Sequence, residues 1–306
     1  MSTQEFNAGY RYSEIYEEVL PPHYYGGKED LDLVRDYLST HLGPPPDAGK
    51  HEVLELGCGP GRLTSLLAPY AARLLATDKS EGMISAVRQR FADITTRCTD
   101  TESVVHALHR EGRSNSFDLI GAFWSMSYPL LECFEETTAD GVVSTTDPEQ
   151  GRTRARSLLQ HLVDLLAPGG HMIMLFFDAN TEEQRLVTNL WERIAPFPGT
   201  GRDYTWNLLH DALIDADIDD RGTFHHARLP GVAVLRSTTA AQDWFLTGHL
   251  NNYAKLCNDP RVHSAIDAFV HKHLRPDGTV HIPSAVHFVD FHADTNPSRH
   301  LPTADS

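Results

Sequence analysis

The sequence predicts an α/β fold, a mostly parallel sheet with helices on both faces. Apolar runs typical of strands alternate with segments of helical periodicity from about residue 50 onward. The first strand, residues 53–56, runs into a glycine turn at 57–61 and then into leucines at helical spacing. A strand, turn and helix in this order form a ligand-binding unit. Glycine lets the backbone approach a ligand, and the helix N-terminus offers free N–H groups.

The residues of this turn distinguish three kinds of nucleotide site. A P-loop needs a lysine after its last glycine, which this turn lacks. A dinucleotide-binding turn needs a third glycine where the chain has Arg62, so that match is partial. The pattern Glu55-x-Gly57-x-Gly59-x-Gly61 is intact, and it resembles the first motif of class I S-adenosylmethionine (SAM) methyltransferases.

Four further markers follow in the order that this family shows. A second strand ends at Asp78, 21 residues after Gly57, and a third ends at Asp100. A fourth strand covers residues 117–123, and a Leu-x-Pro-Gly-Gly element at 166–170 leads into a fifth. The resemblance covers roughly residues 50–180. It implies a Rossmann-like, seven-stranded, mostly parallel sheet with an antiparallel closing strand.

The resemblance implies SAM as the cofactor and S-adenosylhomocysteine (SAH) as its product. The two oxygens of Asp78 are expected to hold both ribose hydroxyls, and Asp100 to accept a hydrogen bond from the adenine amino group. The amide of Thr101 and the side chain of Met83 are expected beside the adenine. The predicted cofactor-binding residues are Glu55, Gly57, Gly59, Gly61, Asp78, Lys79, Met83, Asp100, Thr101 and Phe123.

The chain divides into four predicted segments. They are an N-terminal helical cap (1–49), the SAM-binding core (50–180), an acceptor-shaping insertion with closing strands of the same domain (181–295) and a disordered tail (296–306). The cap is expected to hold helices at 12–20, which Pro21 and Pro22 end, and at 29–42. Beyond strand five we expect helices at 182–194, 204–216, 240–256 and 262–274, and strands at 221–236 and 279–292. The acidic stretch 132–151 is expected to be a mobile surface loop or, alternatively, a lid over the acceptor.

The end of strand four is expected to face the methyl group, because ligands of open α/β sheets bind beyond the carboxyl ends of the strands. The predicted catalytic residues are Trp124 as an aromatic wall, Tyr24 (or its neighbour Tyr25) near the sulfonium, and His225 as a base. The other candidate bases are His23, Glu132, His161, Asp178, His210 and His226. The aromatic residues expected around the acceptor, about half of them in the core, are Trp124, Tyr128, Trp191, Trp206, Phe224 and Trp244.

The composition of the chain excludes several classes of binding partner. A net charge of −16 without a basic run argues against nucleic acid. The sequence shows no apolar segment of membrane-spanning length and no signal-peptide pattern at its start, so we expect a cytoplasmic protein that binds no membrane. The 4 cysteines and 18 histidines form no tight ligand set, which predicts free thiols and no metal site. The expected partner is a small-molecule acceptor, with a homodimer as a possible assembly.

The sequence thus predicts an enzyme that methylates a small aromatic or heteroaromatic natural product. The chain as a whole is similar to actinobacterial natural-product methyltransferases. This similarity implies transfer to C3 of an indole in a tryptophan-derived compound, where methylation triggers closure to a pyrroloindoline. The alternatives are an N- or O-methyltransferase on another metabolite, a SAM-binding regulator without transfer activity, and an NAD-dependent oxidoreductase. Arg62 and the Leu-x-Pro-Gly-Gly element argue against the last.

Overall fold

The structure is a computed structural model that describes residues 18–45, 49–138, 141–194, 202–251 and 253–295. Its strands are β1 (His23–Tyr25), β2 (Lys28–Glu29), β3 (His51–Leu56), β4 (Ala71–Asp78), β5 (Thr95–Cys98), β6 (Phe117–Phe123), β7 (Glu135–Thr138), β8 (Gly141–Ser144), β9 (Leu166–Phe177), β10 (Gly222–Leu235) and β11 (Val280–Ala293). Its α-helices are α1 (Asp30–Leu42), α2 (Thr64–Leu67), α3 (Glu81–Arg90), α4 (Thr101–Arg110), α5 (Ser127–Glu132), α6 (Pro148–Asp164), α7 (Glu182–Trp191), α8 (Asp203–Ile218), α9 (Thr238–Asp243), α10 (Ala254–Cys257) and α11 (Pro260–Lys272). None of the helices in these ranges is long and apolar enough to cross a membrane.

Nine strands form one sheet in the order β2-β1-β10-β11-β9-β6-β3-β4-β5. The five strands from β9 to β5 are parallel, whereas β11 runs antiparallel between β9 and β10. The chain leaves β3 towards β4 and β5 and then returns to the other side of β3 as β6. The order therefore reverses between β3 and β6, which is where open α/β sheets bind their ligands.

Alternating residues of the strands supply two separate cores. Val53 of β3 packs with α1, α2 and α3 on one face, whereas Leu54 packs with α4, α6 and α8 on the other. A third core lies under α7, α9 and α11, where it meets the end of β10 and the start of β11. These helices belong to the insertion after strand five, so the region predicted to shape the acceptor site has its own packed interior.

The predicted α/β fold, with a mostly parallel sheet and an antiparallel closing strand, is confirmed. The sheet of the described residues has nine strands instead of the predicted seven, because β1 and β2 extend it at the edge beyond β10. The segment predicted as an N-terminal helical cap, residues 1–49, thus contributes two short strands to the sheet in addition to a helix. Residues His23 to Tyr25 pair with β10, and Gly26 and Gly27, both with positive φ, turn the chain into β2. The predicted second helix is present as α1. The first predicted helix lies outside the described residues except for residues 18–20, and the predicted tail lies entirely outside them.

The stretch 132–151 also differs from the predicted loop. It contains the β7–β8 hairpin, whose strands Glu135–Thr138 and Gly141–Ser144 pair antiparallel. Helix α6 then begins at Pro148, where the Asp147 side chain accepts a hydrogen bond from the Gln150 N–H. Proline at the first helical position and aspartate before it are strong helix-start signals.

The single helix predicted for 240–256 is broken into three parts. Helix α9 is followed by a π-helical segment, Trp244–His249, and then by the short α10. Gly248 permits this geometry, because a Cβ there would lie 2.4 Å from the Trp244 ring. The irregular segment brings both Trp244 and His249 to the site described next.

Candidate active site

The glycine turn follows β3 and touches the end of β6. Gly57 has φ +68°, and a Cβ on it would lie 2.3 Å from the Cβ of Ser125. The Ser125 hydroxyl donates to the carbonyl of Leu56 over 2.6 Å. Glycine is therefore required at position 57 both for its conformation and for this close approach. The contact places the residues that follow β6 directly beside the turn.

The other two glycines of the motif have different surroundings. Gly59 has φ +53°, and a Cβ on it would meet no atom within 4 Å. A Cβ on Gly61 would lie 2.9 Å from the ring of Phe91, so Gly61 lets the turn pack against α3 and the loop after it. The open space at Gly59 is the place on the turn where a ligand can approach the backbone.

Asp78 ends β4 and faces the same turn. One carboxylate oxygen accepts the Gly59 N–H at 3.0 Å, and the other accepts the Ser80 N–H at 2.8 Å. Burial raises the pKa of Asp78, and these N–H groups offset part of that effect. Each oxygen has two lone pairs, so both retain capacity for a ribose hydroxyl. The carboxylate fits the predicted role and also anchors the turn.

Glu55 lies beneath the turn and is only 1% exposed. Its carboxyl accepts a hydrogen bond from the Thr64 hydroxyl at 2.5 Å, which fixes the start of α2. The pKa of Glu55 is raised to about 8. Burial is the main cause and the nearby Asp78 adds to it, while the Thr64 hydrogen bond offsets part of the rise. This residue supports the turn from behind rather than presenting its carboxyl to solvent.

The remaining predicted cofactor residues follow β4, β5 and β6. Asp100 is the N-cap of α4 and accepts the Ser103 N–H at 2.8 Å, and Thr101 begins that helix. Met83 is buried in α3, with its N–H bonded to the Ser80 hydroxyl.

Lys79 follows β4, and Phe123 ends β6. Lys79 is ion-paired with Glu132 at 2.8 Å and lies over the ring of Tyr128, with its nitrogen 6.0 Å from the ring centroid. Phe123 is the last residue of β6 and is 6% exposed, within the core under α1, α2 and α3.

A cavity of about 390 Å³ opens where β6 and β9 end. Its aromatic walls are Trp124, Phe177 and Trp244, and Glu183, His23 and His249 supply its polar lining on one side. Ser284 and Ala285 of β11 also line it. The cavity lies between the ends of β6 and β9, the N-terminal segment and the insertion after strand five. We call it the acceptor cavity, after the role that the sequence predicts for this end of the sheet.

Trp124 holds a strained position in the wall of the acceptor cavity. Its φ is +60°, a conformation that costs a bulky side chain energy and that recurs at functional sites. Its indole N–H donates to Asp30 at 2.9 Å, and its ring centroid lies 5.0 Å from that of Phe177. Asp30 is also paired with Arg62 through two contacts. Burial raises the pKa of Asp30, but Arg62 and Trp124 more than offset this, so its pKa lies below the usual range.

Glu183 is the buried carboxylate of the acceptor cavity, with 2% of its surface exposed. One oxygen, Oε1, accepts both the Trp244 indole N–H at 2.6 Å and a hydrogen bond from His249 Nε2 at 2.9 Å. Burial raises the pKa of Glu183, but His249, followed by His23 and Trp244, outweighs it, so the pKa lies below the usual range. Among the described residues, no donor is bonded to Oε2, which leaves this oxygen for a ligand.

His23 completes the polar side of the acceptor cavity. Its Nδ1 lies 2.9 Å from the carbonyl oxygen of Pro21, which can only accept, so Nδ1 carries the proton. Burial lowers the pKa of His23, and the neighbouring Glu183 carboxylate offsets only part of the shift. The neutral ring therefore has a basic Nε2 close to an anionic carboxylate.

Two of the three predicted catalytic residues do not line the acceptor cavity. Alternation along β1 puts His23 and Tyr25 on the side of Trp124, whereas Tyr24 lies on the other side beside Glu29. Tyr25, with its ring 6.2 Å from that of Trp124, therefore corresponds better to the predicted tyrosine than Tyr24 does. His225 is exposed in the middle of β10, opposite Asp290, and the structure gives it no contact with the cavity.

Of the other candidate bases, His23 alone lines the acceptor cavity. Asp178 is buried and bonded to Arg228 and to the Asn180 N–H. The remaining four candidate bases do not line the cavity; they are Glu132 in α5, His161 in α6, His210 in α8 and His226 in β10. Among the aromatic candidates, Trp124 and Trp244 line the cavity, and Trp191, Trp206, Tyr128 and Phe224 do not. Trp191 and Trp206 belong to the packed cores.

Sequence reasoning missed Asp30, Phe177, Glu183 and His249. Glu183 follows an N-cap threonine at the start of α7, where acidic residues are common whatever their function. Its partners come from a segment about 60 residues later, so no local pattern joins them. The one available signal was that Trp244 and His23 were already acceptor-side candidates.

Comparison with known proteins identifies the domain that contains this turn. Residues 53–135 match the family described as "Methyltransferase domain". The chain is 26% identical over 181 residues to Nodulation protein S of Sinorhizobium fredii, covering 59% of this chain and 65% of that protein. It is 29% identical over 119 residues to Phosphoethanolamine N-methyltransferase 1 of Caenorhabditis elegans, covering 35% of this chain and 24% of that protein. The chain thus spans less than two thirds of either relative.

Solved structures similar to this chain include one described as "Conversion of a Disulfide Bond into a Thioacetal Group during Echinomycin Biosynthesis". The identity is 16% and the TM-score 0.48, with 97% of this chain and 94% of that chain covered.

Proposed function

We propose that this chain, which carries a class I SAM-dependent methyltransferase domain, transfers the methyl group of SAM to a small molecule in the acceptor cavity. The observation that supports this most is the contact between Gly57 and Ser125. This contact sets the cofactor turn beside the end of β6, and Trp124, the residue after β6, lines the cavity. The donor and the acceptor thereby meet at one point of the sheet.

The turn would hold SAM along the open side of Gly59, with the ribose on Asp78 and the adenine near Asp100 and Met83. The positive sulfur of bound SAM supplies the leaving group of an in-line displacement. The protein then has to align the acceptor atom with the methyl–sulfur bond and exclude water. Trp124, Phe177 and Trp244 provide aromatic walls against which a flat acceptor can pack.

The acceptor class that we infer is an aromatic ring bearing an N–H group, with C3 of an indole as the specific candidate. The free Glu183 Oε2 would accept the indole N–H, which raises electron density at C3. Methyl transfer to C3 leaves a positive charge on the indole nitrogen, and a side-chain amine that closes on C2 neutralises it with loss of one proton. His23 Nε2 would take that proton; the lowered pKa of the buried ring, which leaves it neutral, supports this role.

N-methylation of an amine is the second candidate. One relative is named as an N-methyltransferase, and a buried carboxylate among three aromatic rings also suits a cationic amine. The two candidates differ in the atom that gains the methyl group, so product analysis separates them.

The experiment is an acceptor screen with purified protein and SAM. Tryptophan-derived indoles and aliphatic amines are tested separately, and mass spectrometry follows SAH and any product heavier by one CH₂. We expect acceptor-dependent SAH from an indole, reduced turnover by Asp78→Ala at limiting SAM, and strongly reduced turnover by Glu183→Gln. The matched control Glu182→Gln changes the exposed neighbouring carboxylate and should retain activity. Product formed only from amines would replace the indole assignment, and equal activity of Glu183→Gln and wild type would refute the cavity assignment.

A further inference from the structure

A second group of titratable side chains lies on the face of the sheet covered by α1, outside the acceptor cavity. His41 comes from α1, His171 from β9 and Asp290 from β11. Each offers one ligand atom, and these three atoms lie within 4.8 Å of one another. Asp290 is buried and His41 is exposed, so the group extends from the protein interior to the surface, where an ion can reach it.

We propose that His41, His171 and Asp290 bind a divalent transition-metal ion of the zinc class, which fastens α1 to the sheet. Two imidazoles and one carboxylate are a ligand set that suits zinc and its borderline neighbours, in preference to magnesium or calcium. The proposal does not depend on methyl transfer and concerns a site that the sequence did not predict.

The side chains around the ligands hold them in place. The Tyr37 hydroxyl donates to Asp290 at 2.5 Å and lies 2.8 Å from His171 Nδ1. The His292 ring stacks on the His171 ring, with centroids 4.4 Å apart and planes 9° apart. Such contacts orient metal ligands in known sites.

The position of the ligands gives the ion a structural role. Helix α1 begins at Asp30, which lines the acceptor cavity and bonds Trp124. Its other end carries His41, so an ion held there would fasten the whole helix against β9 and β11. Binding to the folded state alone stabilises a protein, which makes the melting temperature depend on metal concentration.

The test is titration of the tag-free, chelator-treated full chain with Co²⁺ and Zn²⁺. We expect one equivalent of Co²⁺ to produce visible absorption bands, and Zn²⁺ to displace it and raise the melting temperature by several degrees. His41→Ala and His171→Gln should weaken binding at least tenfold. The control His271→Ala removes an exposed histidine on α11 and should bind like wild type.

Because His41 is exposed, its substitution should leave the metal-free fold intact, and circular dichroism in metal-free buffer checks this. His41→Ala binding Co²⁺ as tightly as wild type would overturn the proposal. Wild type without stoichiometric binding would also overturn it and leave the group a hydrogen-bond network.

Discussion

Replacing Glu183 with glutamine tests the acceptor cavity with the smallest change of shape. Both described hydrogen bonds of the carboxylate fall on Oε1, from Trp244 and His249. A glutamine carbonyl at that position can still accept both, while its amide group takes the place of Oε2. The variant should therefore fold, but it presents a donor to the acceptor where wild type presents an anionic oxygen.

The size of the effect follows from the loss of a charged hydrogen bond. A bond to a charged group contributes about 1.5–3 kcal/mol, and about 1.4 kcal/mol corresponds to a factor of ten. We therefore expect kcat/KM for an N–H acceptor to fall by about tenfold to a hundredfold in Glu183→Gln. The affinity for SAM should change little, because neither the glycines of the cofactor turn nor Asp78 line the cavity that contains Glu183.

Steady-state SAH release and calorimetric SAM binding measure the two quantities separately. The pH dependence of the melting temperature is a third measurable quantity. The pKa of Glu183 is lowered in the folded state, so its stabilising effect is complete above the unfolded value of 4.5 and is lost as the pH falls further. The difference in melting temperature between wild type and variant should shrink as the pH is lowered below that value.

Two results would refute this reasoning. If Glu183→Gln loses turnover only in proportion to folded protein, the carboxylate is structural. If Glu182→Gln is impaired as strongly, the effect comes from general charge at the start of α7, because Glu182 is exposed and paired with Lys272.

Three further predictions concern the cofactor turn. Asp78→Ala should weaken SAM binding at least tenfold by calorimetry, since it loses charged hydrogen bonds of about 1.5–3 kcal/mol each; unchanged affinity would remove Asp78 from the site. Gly59→Ala should fold, at a cost of about 1–2 kcal/mol in the free energy of unfolding, yet bind SAM poorly. Gly61→Ala should instead lose stability, because its Cβ meets the ring of Phe91. Thermal unfolding and calorimetry of both variants check this, and the reverse pattern would show that the two glycines have exchanged roles. Glu55→Gln should melt higher than wild type near pH 9 and similarly near pH 4. The raised pKa of about 8 means that stability present below pH 4.5 is lost as the pH rises through 8, and parallel melting curves would contradict that pKa.

The sequence predicted the core of the fold because each part of it carries a local signal. The glycine turn, the carboxylates ending β4 and following β5, and the Leu-x-Pro-Gly-Gly element each lie within a few residues of the strand they mark. Asp78 reached the turn as expected, since neighbouring parallel strands end at one edge of the sheet. Ser80 caps α3, with its hydroxyl accepting the Met83 N–H, and serine just before a helical segment is itself a local helix-start signal.

The acceptor side depends on contacts between distant residues, which local patterns do not encode. Glu182 and Glu183 are adjacent and chemically identical. Because successive residues point in different directions around a helix, Glu182 is exposed to solvent and Glu183 lines the acceptor cavity. Tyr24 and Tyr25 are separated in the same way by strand alternation, once β1 pairs with β10. That pairing joins segments about 200 residues apart, so the extended conformation of β1 was not visible locally.

The central claim is that the glycine turn and the acceptor cavity form one methyl-transfer site, and a crystal structure of the protein with SAH tests it most directly. The account predicts the ribose on Asp78, the backbone of Gly59 against the ligand, and the sulfur directed at the cavity mouth beside Trp124. SAH bound elsewhere, or bound in the turn with its sulfur directed away from Trp124, would contradict the account.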